Sequence, residues 1–193
     1  MKFIPTPLPG VYEVHPRVFA DERGYFFESY NQQAWEAAGI QAHFVQDNES
    51  QSARGVLRGL HFQQPPRAQG KNVTVGAGAV YDVVVDLRPK SPTYGQHFGL
   101  VLTASAKNGL WIPPGFAHGF LTLEDNTVFR YKCTDTYAPE TEGCLAWNDP
   151  SVGIDWAGIW QQYLGPNGAD FAPQLSPKDQ QGTLWTHFTS PFA

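Results

Sequence analysis

Gly55-Val56-Leu57-Arg58-Gly59-Leu60-His61-Phe62-Gln63 reads as a strand that carries a guanidinium and an imidazole among residues otherwise suited to burial. Taking such groups out of water without partners costs several kcal/mol. The strand therefore predicts either paired core charges or a pocket served by an anion-binding cation, Arg58, and a titratable base, His61. A lone strand histidine is also an ordinary core or rim residue, so the stretch alone leaves both readings open. Strict alternation sets Arg58 and His61 on opposite faces. A bulge at Gly59 would slip the register and let them share a pocket, and a bulge is expected there.

Outward from this strand, more polar groups interrupt apolar runs: Lys71, then Asp82 and Asp86, then His118 within Pro113-Pro114-Gly115-Phe116-Ala117-His118-Gly119-Phe120. Lys71–Val75 and Tyr81–Leu87 alternate with a period of two, so each has a lining and an outer face. On Tyr81–Leu87 the lining is either Asp82 with Asp86 or the apolar residues between them. Further strands are expected at Phe44–Ser50, Gly55–Gln63, Ala79–Leu87, Gly95–Thr103, Gly109–Ile112, Ala117–Leu123, Asn126–Thr134 and Cys144–Asn148, joined by short connections rich in Gly and Pro. Before them, Val11 to Tyr30 reads as strand, turn at Asp21-Glu22-Arg23-Gly24, strand. Asn31 to Gly39 reads as a helix capped by Asn31 and closed by Gly39.

With 193 residues, 16 prolines, 19 glycines and 14% aromatic residues, the chain fits one mostly β domain, a sandwich or barrel with few short helices. After Pro150 the pattern loses its period. It reads as a return segment wrapping the barrel, with a short helix at Ala157–Tyr163 and a loosely held tail beyond Gly182. The formal charge of −5 comes without a basic run, which argues against nucleic acid. No stretch is apolar enough for a signal region or a bilayer span, so a cytoplasmic location is expected. Cys133 and Cys144 bracket a hairpin-like stretch where a cross-strand disulfide is sterically possible, but reduced thiols suit that compartment better.

Several blocks in order carry a family resemblance over nearly the whole chain. They are Phe19-Ala20-Asp21-Glu22-Arg23-Gly24-Tyr25-Phe26-Phe27-Glu28, Gln46-Asp47-Asn48-Glu49-Ser50, Gly55–Gln63, Asp82–Arg88 with Ser91-Pro92-Thr93, and Pro113–Phe120. Tyr131-Lys132, Tyr137-Ala138-Pro139-Glu140, Asn148-Asp149-Pro150 and Leu175–Asp179 follow. The chain resembles the dTDP-4-dehydrorhamnose 3,5-epimerases, metal-free members of the cupin fold, a double-stranded β-helix or jelly-roll barrel.

The resemblance implies inversion of carbons 3 and 5 of dTDP-4-dehydro-6-deoxy-D-glucose, giving dTDP-4-dehydro-L-rhamnose for deoxysugar and polysaccharide synthesis. His61 would be the base, oriented by Asp179; Tyr131 would act on the other face of the sugar, and Lys71 would stabilise the enolate oxygen. Arg58, Gln46, Asn48, Ser50, His118 and Tyr137 would line the substrate site. Arg23, Phe26 and Glu28 would reach a neighbouring subunit's nucleotide site through exchanged N-terminal strands within residues 1–30, making a homodimer. No cofactor is implied.

Three features depart from the family pattern: Asn72 after Lys71, Arg67 in a loop position more often aromatic, and a long stretch from Ala157 to Gln174. The last bears on whether Asp179 reaches His61; Asp82 is the alternative partner. Two other functions compete. A metal-dependent cupin wants His-x-His with a following Glu, whereas the motif here is His61-Phe62-Gln63 and His118 has no second histidine near it. A non-catalytic nucleotide-sugar binding module would use the same Arg58 and aromatics without a proton relay. A mono-epimerase acting at carbon 3 or carbon 5 alone stays open within the enzyme reading.

Overall fold

Two sheets face one another in the computed structural model of this chain, which describes residues 1–165 and 170–193. In chain order the strands are β1 (Lys2–Pro5), β2 (Tyr12–His15), β3 (Val18–Asp21), β4 (Gly24–Phe27), β5 (Gln46–Ser52), β6 (Leu57–Gln63), β7 (Lys71–Ala77) and β8 (Ala79–Asp86). They continue as β9 (His97–Thr103), β10 (Gly109–Ile112), β11 (Phe116–Thr122), β12 (Thr127–Cys133) and β13 (Glu142–Cys144). One sheet has six strands in the order β1-β2-β10-β7-β12-β5, the other five in the order β13-β6-β11-β8-β9. All named pairings are antiparallel, and β3 and β4 form a ribbon apart from both sheets. This is the cupin-type arrangement, with the two sheets left unclosed.

β8 explains the layering. Val80 and Val84 pack between the sheets against Val73, Val75 and Phe129, while Val83 and Val85 join Leu57, Leu60 and Leu121 on the other side of the five-stranded sheet. Both faces of this strand are covered, which is why its apolar run is nearly continuous. Asp82 and Asp86 share the inward face with Val80 and Val84, and both are fully buried.

The outer face of the five-stranded sheet would expose Val83, Val85 and Leu57 to water, and the C-terminal segment covers it. Helix α2 (Trp156–Tyr163), capped by Asp155 accepting from the Gly158 N–H at 2.8 Å, lies there. Trp156, Trp185, Phe188 and Phe192 pack into the same cluster, and Thr183 bridges Leu145 in parallel. The expectation of a loosely held tail beyond Gly182 is corrected by this: the tail closes a core face. Within the long 157–174 stretch, residues 166–169 lie outside the described residues.

Helix α1 (Gln32–Ala37) starts at Asn31, whose side chain accepts from the Ala34 N–H at 3.2 Å, and it seats Trp35 against Trp111 on the six-stranded sheet. The strand expected at Cys144–Asn148 is also corrected: β13 ends at Cys144, because beyond it Leu145 exchanges both bonds with Leu60 and Ala146 turns to Thr183. The N-terminal segment divides. β1 and β2 pair in the chain's own sheet beside β10, and only the β3–β4 ribbon joins neither sheet, the centre of its Tyr25 ring lying 4.0 Å from the Lys107 ammonium.

Gly59 is a bulge. His118 pairs with His61 and Phe120 with Arg58, so three steps on β6 match two on β11. Its φ is +133°, and an added Cβ would sit 2.5 Å from Gly119 Cα and 3.0 Å from the His118 carbonyl oxygen. Only glycine fits this backbone.

Candidate active site

His61 points from the five-stranded sheet into the space between the sheets, and its Nε2 lies 2.7 Å from Asp179 Oδ1. The contact is oblique to the ring N–H and so is an electrostatic pair rather than a linear hydrogen bond. Asp179 opens a short 3-10 turn (Asp179–Gln181) and is only 3% exposed. Its Oδ1 also accepts from the Gly59 N–H at 3.1 Å, and its Oδ2 from Ser176 Oγ at 2.6 Å. Burial alone would raise its pKa; the His61 imidazole beside it and the Ser176 and Gly59 donors outweigh that and hold it down at about 2. The carboxylate is therefore ionised at any ordinary pH and supports a positive imidazole.

The six-stranded sheet supplies the opposite wall. Register puts Gln46, Cys133 and Lys71 in one row and Asn48, Tyr131 and Val73 in the next, all on one face. His61, Lys71, Tyr131, Gln46, Asn48 and Tyr137 together line a cavity of about 340 Å³. Burial pushes the Tyr131 phenol up, with Arg58 pulling it partly back, so the hydroxyl keeps its proton at neutral pH. Burial pushes the Lys71 ammonium down, opposed by attraction to Glu142 and Asp82 among others. Its Nζ lies 5.9 Å from the centre of the Tyr131 ring.

Other expected residues lie beside this cavity. Ser50 continues the Gln46, Asn48 face along β5, opposite Phe129. Arg58 donates from Nε and Nη2 to Ser52 Oγ at 3.2 and 3.1 Å. His118 lies across from His61 on β11, with Nε2 2.9 Å from Asp82 Oδ2. The two histidines thus have separate carboxylates, and Asp82, the alternative partner for His61, is taken by His118. Asp86 serves a loop: it accepts from Arg88, Ser91 and Thr93 and fixes the turn after β8.

Arg23, Phe26 and Glu28 are not at this cavity. Arg23 and Phe26 line a separate hollow of about 360 Å³ on the ribbon, where Arg23 pairs with Asp21 at 2.5 Å. Glu28 accepts from Asn31 Nδ2 at 3.0 Å.

Three contributors escaped the sequence reading. Gln63 follows His61 by two residues, so strand alternation alone pointed to it; its side chain holds the Arg67 and Thr136 carbonyls and the Ala138 N–H. Glu142 accepts from the Tyr137 hydroxyl at 2.8 Å and pairs with Lys178, next to Asp179. Its only cue is its pairing with Gln63 across β13 and β6, which no local pattern reveals. Cys144 is the third, beside His61 in the same pairing. Cys133 and Cys144 are both free thiols. No helix among the described residues is long and apolar enough to cross a membrane.

The cavity thus sets an imidazole on one wall and a protonated phenol on the other, an arrangement suited to moving protons on two faces of a small polar molecule. Comparison with known proteins identifies the family. The sequence profile of the dTDP-4-dehydrorhamnose 3,5-epimerases matches residues 5–187. The chain is 54% identical over 185 residues to an enzyme of that name from Salmonella typhimurium, covering 95% of each. It is 52% identical over 183 residues to one from Pseudomonas aeruginosa, covering 94% of each. It also superposes with a TM-score of 0.87, at 43% identity and over 97% and 94% of the two chains, on a Legionella pneumophila 3,5-epimerase crystallised with dTDP-4-keto-L-rhamnose.

Proposed function

Because this chain belongs to the dTDP-4-dehydrorhamnose 3,5-epimerase family, we propose that its isomerase reaction runs by general acid–base proton transfer through an enolate in the His61 cavity. The overall reaction is inversion of carbons 3 and 5 of dTDP-4-dehydro-6-deoxy-D-glucose to give dTDP-4-dehydro-L-rhamnose. One observation carries the mechanism: His61 and Tyr131 line the same cavity from facing sheets. A sugar ring between them meets a base on one face and an acid on the other.

The ketone at carbon 4 acidifies the hydrogens on carbons 3 and 5. His61 removes one, and the ionised Asp179 supports the imidazolium that forms. Charge collects on the former ketone oxygen, where Lys71 stabilises it, so no metal ion or redox cofactor is needed. Tyr131 returns a proton from the other side, which inverts the carbon. Gln46, Asn48, Ser50, Arg58, His118 and Tyr137 position the sugar and diphosphate.

Arg23, Phe26 and Glu28 complete the nucleotide site of a second subunit, in a homodimer joined through the ribbon. In support, the ribbon exposes Phe19, Tyr25 and Phe26 and makes no ladder with its own sheets. One domain over 1–193 carries all these parts, with 150–193 as its wrapping segment. Two free thiols suit a reducing, cytoplasmic setting.

Proton NMR of dTDP-4-keto-6-deoxyglucose in deuterium oxide tests the mechanism. Deuterium is expected at carbons 3 and 5, with an inverted product, and His61→Asn is expected to lower the exchange rate by about 10²–10⁴. Wild-type exchange rates in His61→Asn would remove the assigned base. Exchange at one carbon alone would make the protein a mono-epimerase, and none at all a binding module.

A further inference from the structure

Cys144 adjoins the His61–Asp179 pair, and the proton-transfer scheme leaves it without a task. It lies directly across from His61 in the pairing of β13 with β6 and is an unpaired, half-buried thiol. One ligand atom from each of His61, Cys144 and Asp179 lies within 4.8 Å of the other two, the one such grouping of three found among the described residues. We propose that these three side chains form an inhibitory site for a thiophilic divalent cation such as Zn²⁺, which seizes the base and its carboxylate together and stops proton transfer. The inhibition, though not the binding, rests on the reading of His61 as the base.

The donor set selects the ion. Nitrogen, sulfur and carboxylate oxygen together suit zinc, cadmium or cobalt, whereas Mg²⁺ and Ca²⁺ want oxygen shells. With Zn–N and Zn–O lengths of about 2.0–2.2 Å, tetrahedral ligands stand about 3.3 Å apart. The His61 and Asp179 atoms, now 2.7 Å apart, must therefore open by about 0.6 Å, and Sγ must move in, shifts within reach of side-chain torsions. His61 lines the cavity, while Cys144 and Asp179 lie behind it, so an entering ion reaches them past the imidazole.

Cys144 Sγ has only a weak contact of its own, 3.5 Å from the Leu145 carbonyl oxygen. A bound metal replaces the thiol proton, which leaves to solvent as the sulfur–metal bond forms.

Cobalt and zinc test the site by separate readouts. Adding Co²⁺ to the wild-type protein is expected to produce a thiolate-to-cobalt charge-transfer band, absent in Cys144→Ala and Cys144→Ser and kept in Cys133→Ser. Zn²⁺ is expected to inhibit wild-type deuterium exchange reversibly by chelator, with Mg²⁺ inert, and loss of a ligand in Cys144→Ala should raise the inhibitory concentration at least about tenfold. No cobalt band in the wild type, or a band that survives in both Cys144 variants, overturns the site whatever the enzyme's reaction. A Cys144-dependent band combined with equal Zn²⁺ inhibition of wild type and variants overturns the inhibitory role.

Discussion

Asp179 is the residue whose electrostatics reach furthest. Its pKa falls from 3.8 to about 2, because the adjacent His61 imidazole and two donors, Ser176 and Gly59, overcome the cost of burying it. A carboxylate depressed in the folded state contributes stability that is fully present above its unfolded pKa and is lost as pH falls through its folded one. The window here is roughly pH 4 down to 2, and the shift corresponds to about 2–3 kcal/mol. Asp179→Asn should therefore be less stable than wild type by up to that amount at pH 6 in urea unfolding. The gap should narrow below about pH 4; a gap constant across that window would mean that the charge is not what these donors hold. His61, Lys71 and His118 were legible because each interrupts an apolar run, where a charge must find a partner or a task. Asp179 was legible only through a motif near the end of the chain, since nothing local ties residue 179 to residue 61. Glu142 and Cys144 carried no signal, because their importance comes from a pairing across β13 and β6.

Elements were legible where alternation and turns are local. Gly109–Ile112 and the Asp21–Gly24 turn stand as the pattern predicts, and other strand ends move by one to a few residues. β1 escaped because Lys2-Phe3-Ile4-Pro5 ends in proline, a residue that argues against a strand except at a sheet edge, and β1 is an edge. The tail escaped because its partners, Leu145 and the outer face of β8, are remote in sequence. The bulge was legible from one residue: Gly59 resolves the parity conflict between Arg58 and His61. That element predicts its own sensitivity. Gly59→Ala forces a Cβ to 2.5 Å from Gly119 Cα at a positive φ, so unfolding should be easier by more than about 2 kcal/mol. Because the bulge sets the register of His61, and the Gly59 N–H holds Asp179, exchange activity should fall even at temperatures where the variant is folded. A folded Gly59→Ala protein with wild-type exchange would separate the bulge from the placement of the base.

At the scale of the whole molecule, the residues proposed for the sugar and those proposed for the nucleotide stand apart on one chain. The cavity holds His61, Lys71 and Tyr131, while Arg23 and Phe26 line a hollow that shares no residue with it, although Tyr25 and Phe27 of the same ribbon line another cavity beside Asn48 and Tyr131. The ribbon's exposed aromatics and its lack of a ladder to either sheet suit a surface completed by a second copy of the chain. If the ribbon serves its partner's cavity, two kinds of inactive subunit should rescue each other. His61→Asn keeps a working ribbon, and Arg23→Ala with Phe26→Ala keeps a working cavity. Unfolded and refolded together in equal amounts, they should pair at random, so half the dimers are mixed and each mixed dimer has one intact site. Exchange should then return to about one quarter of the wild-type rate per site. A ribbon that folds back on its own cavity leaves every mixed dimer dead, because the intact ribbon and the intact cavity never belong to the same chain. Recovery near one quarter, set against none, therefore distinguishes an exchanged ribbon from a self-serving one.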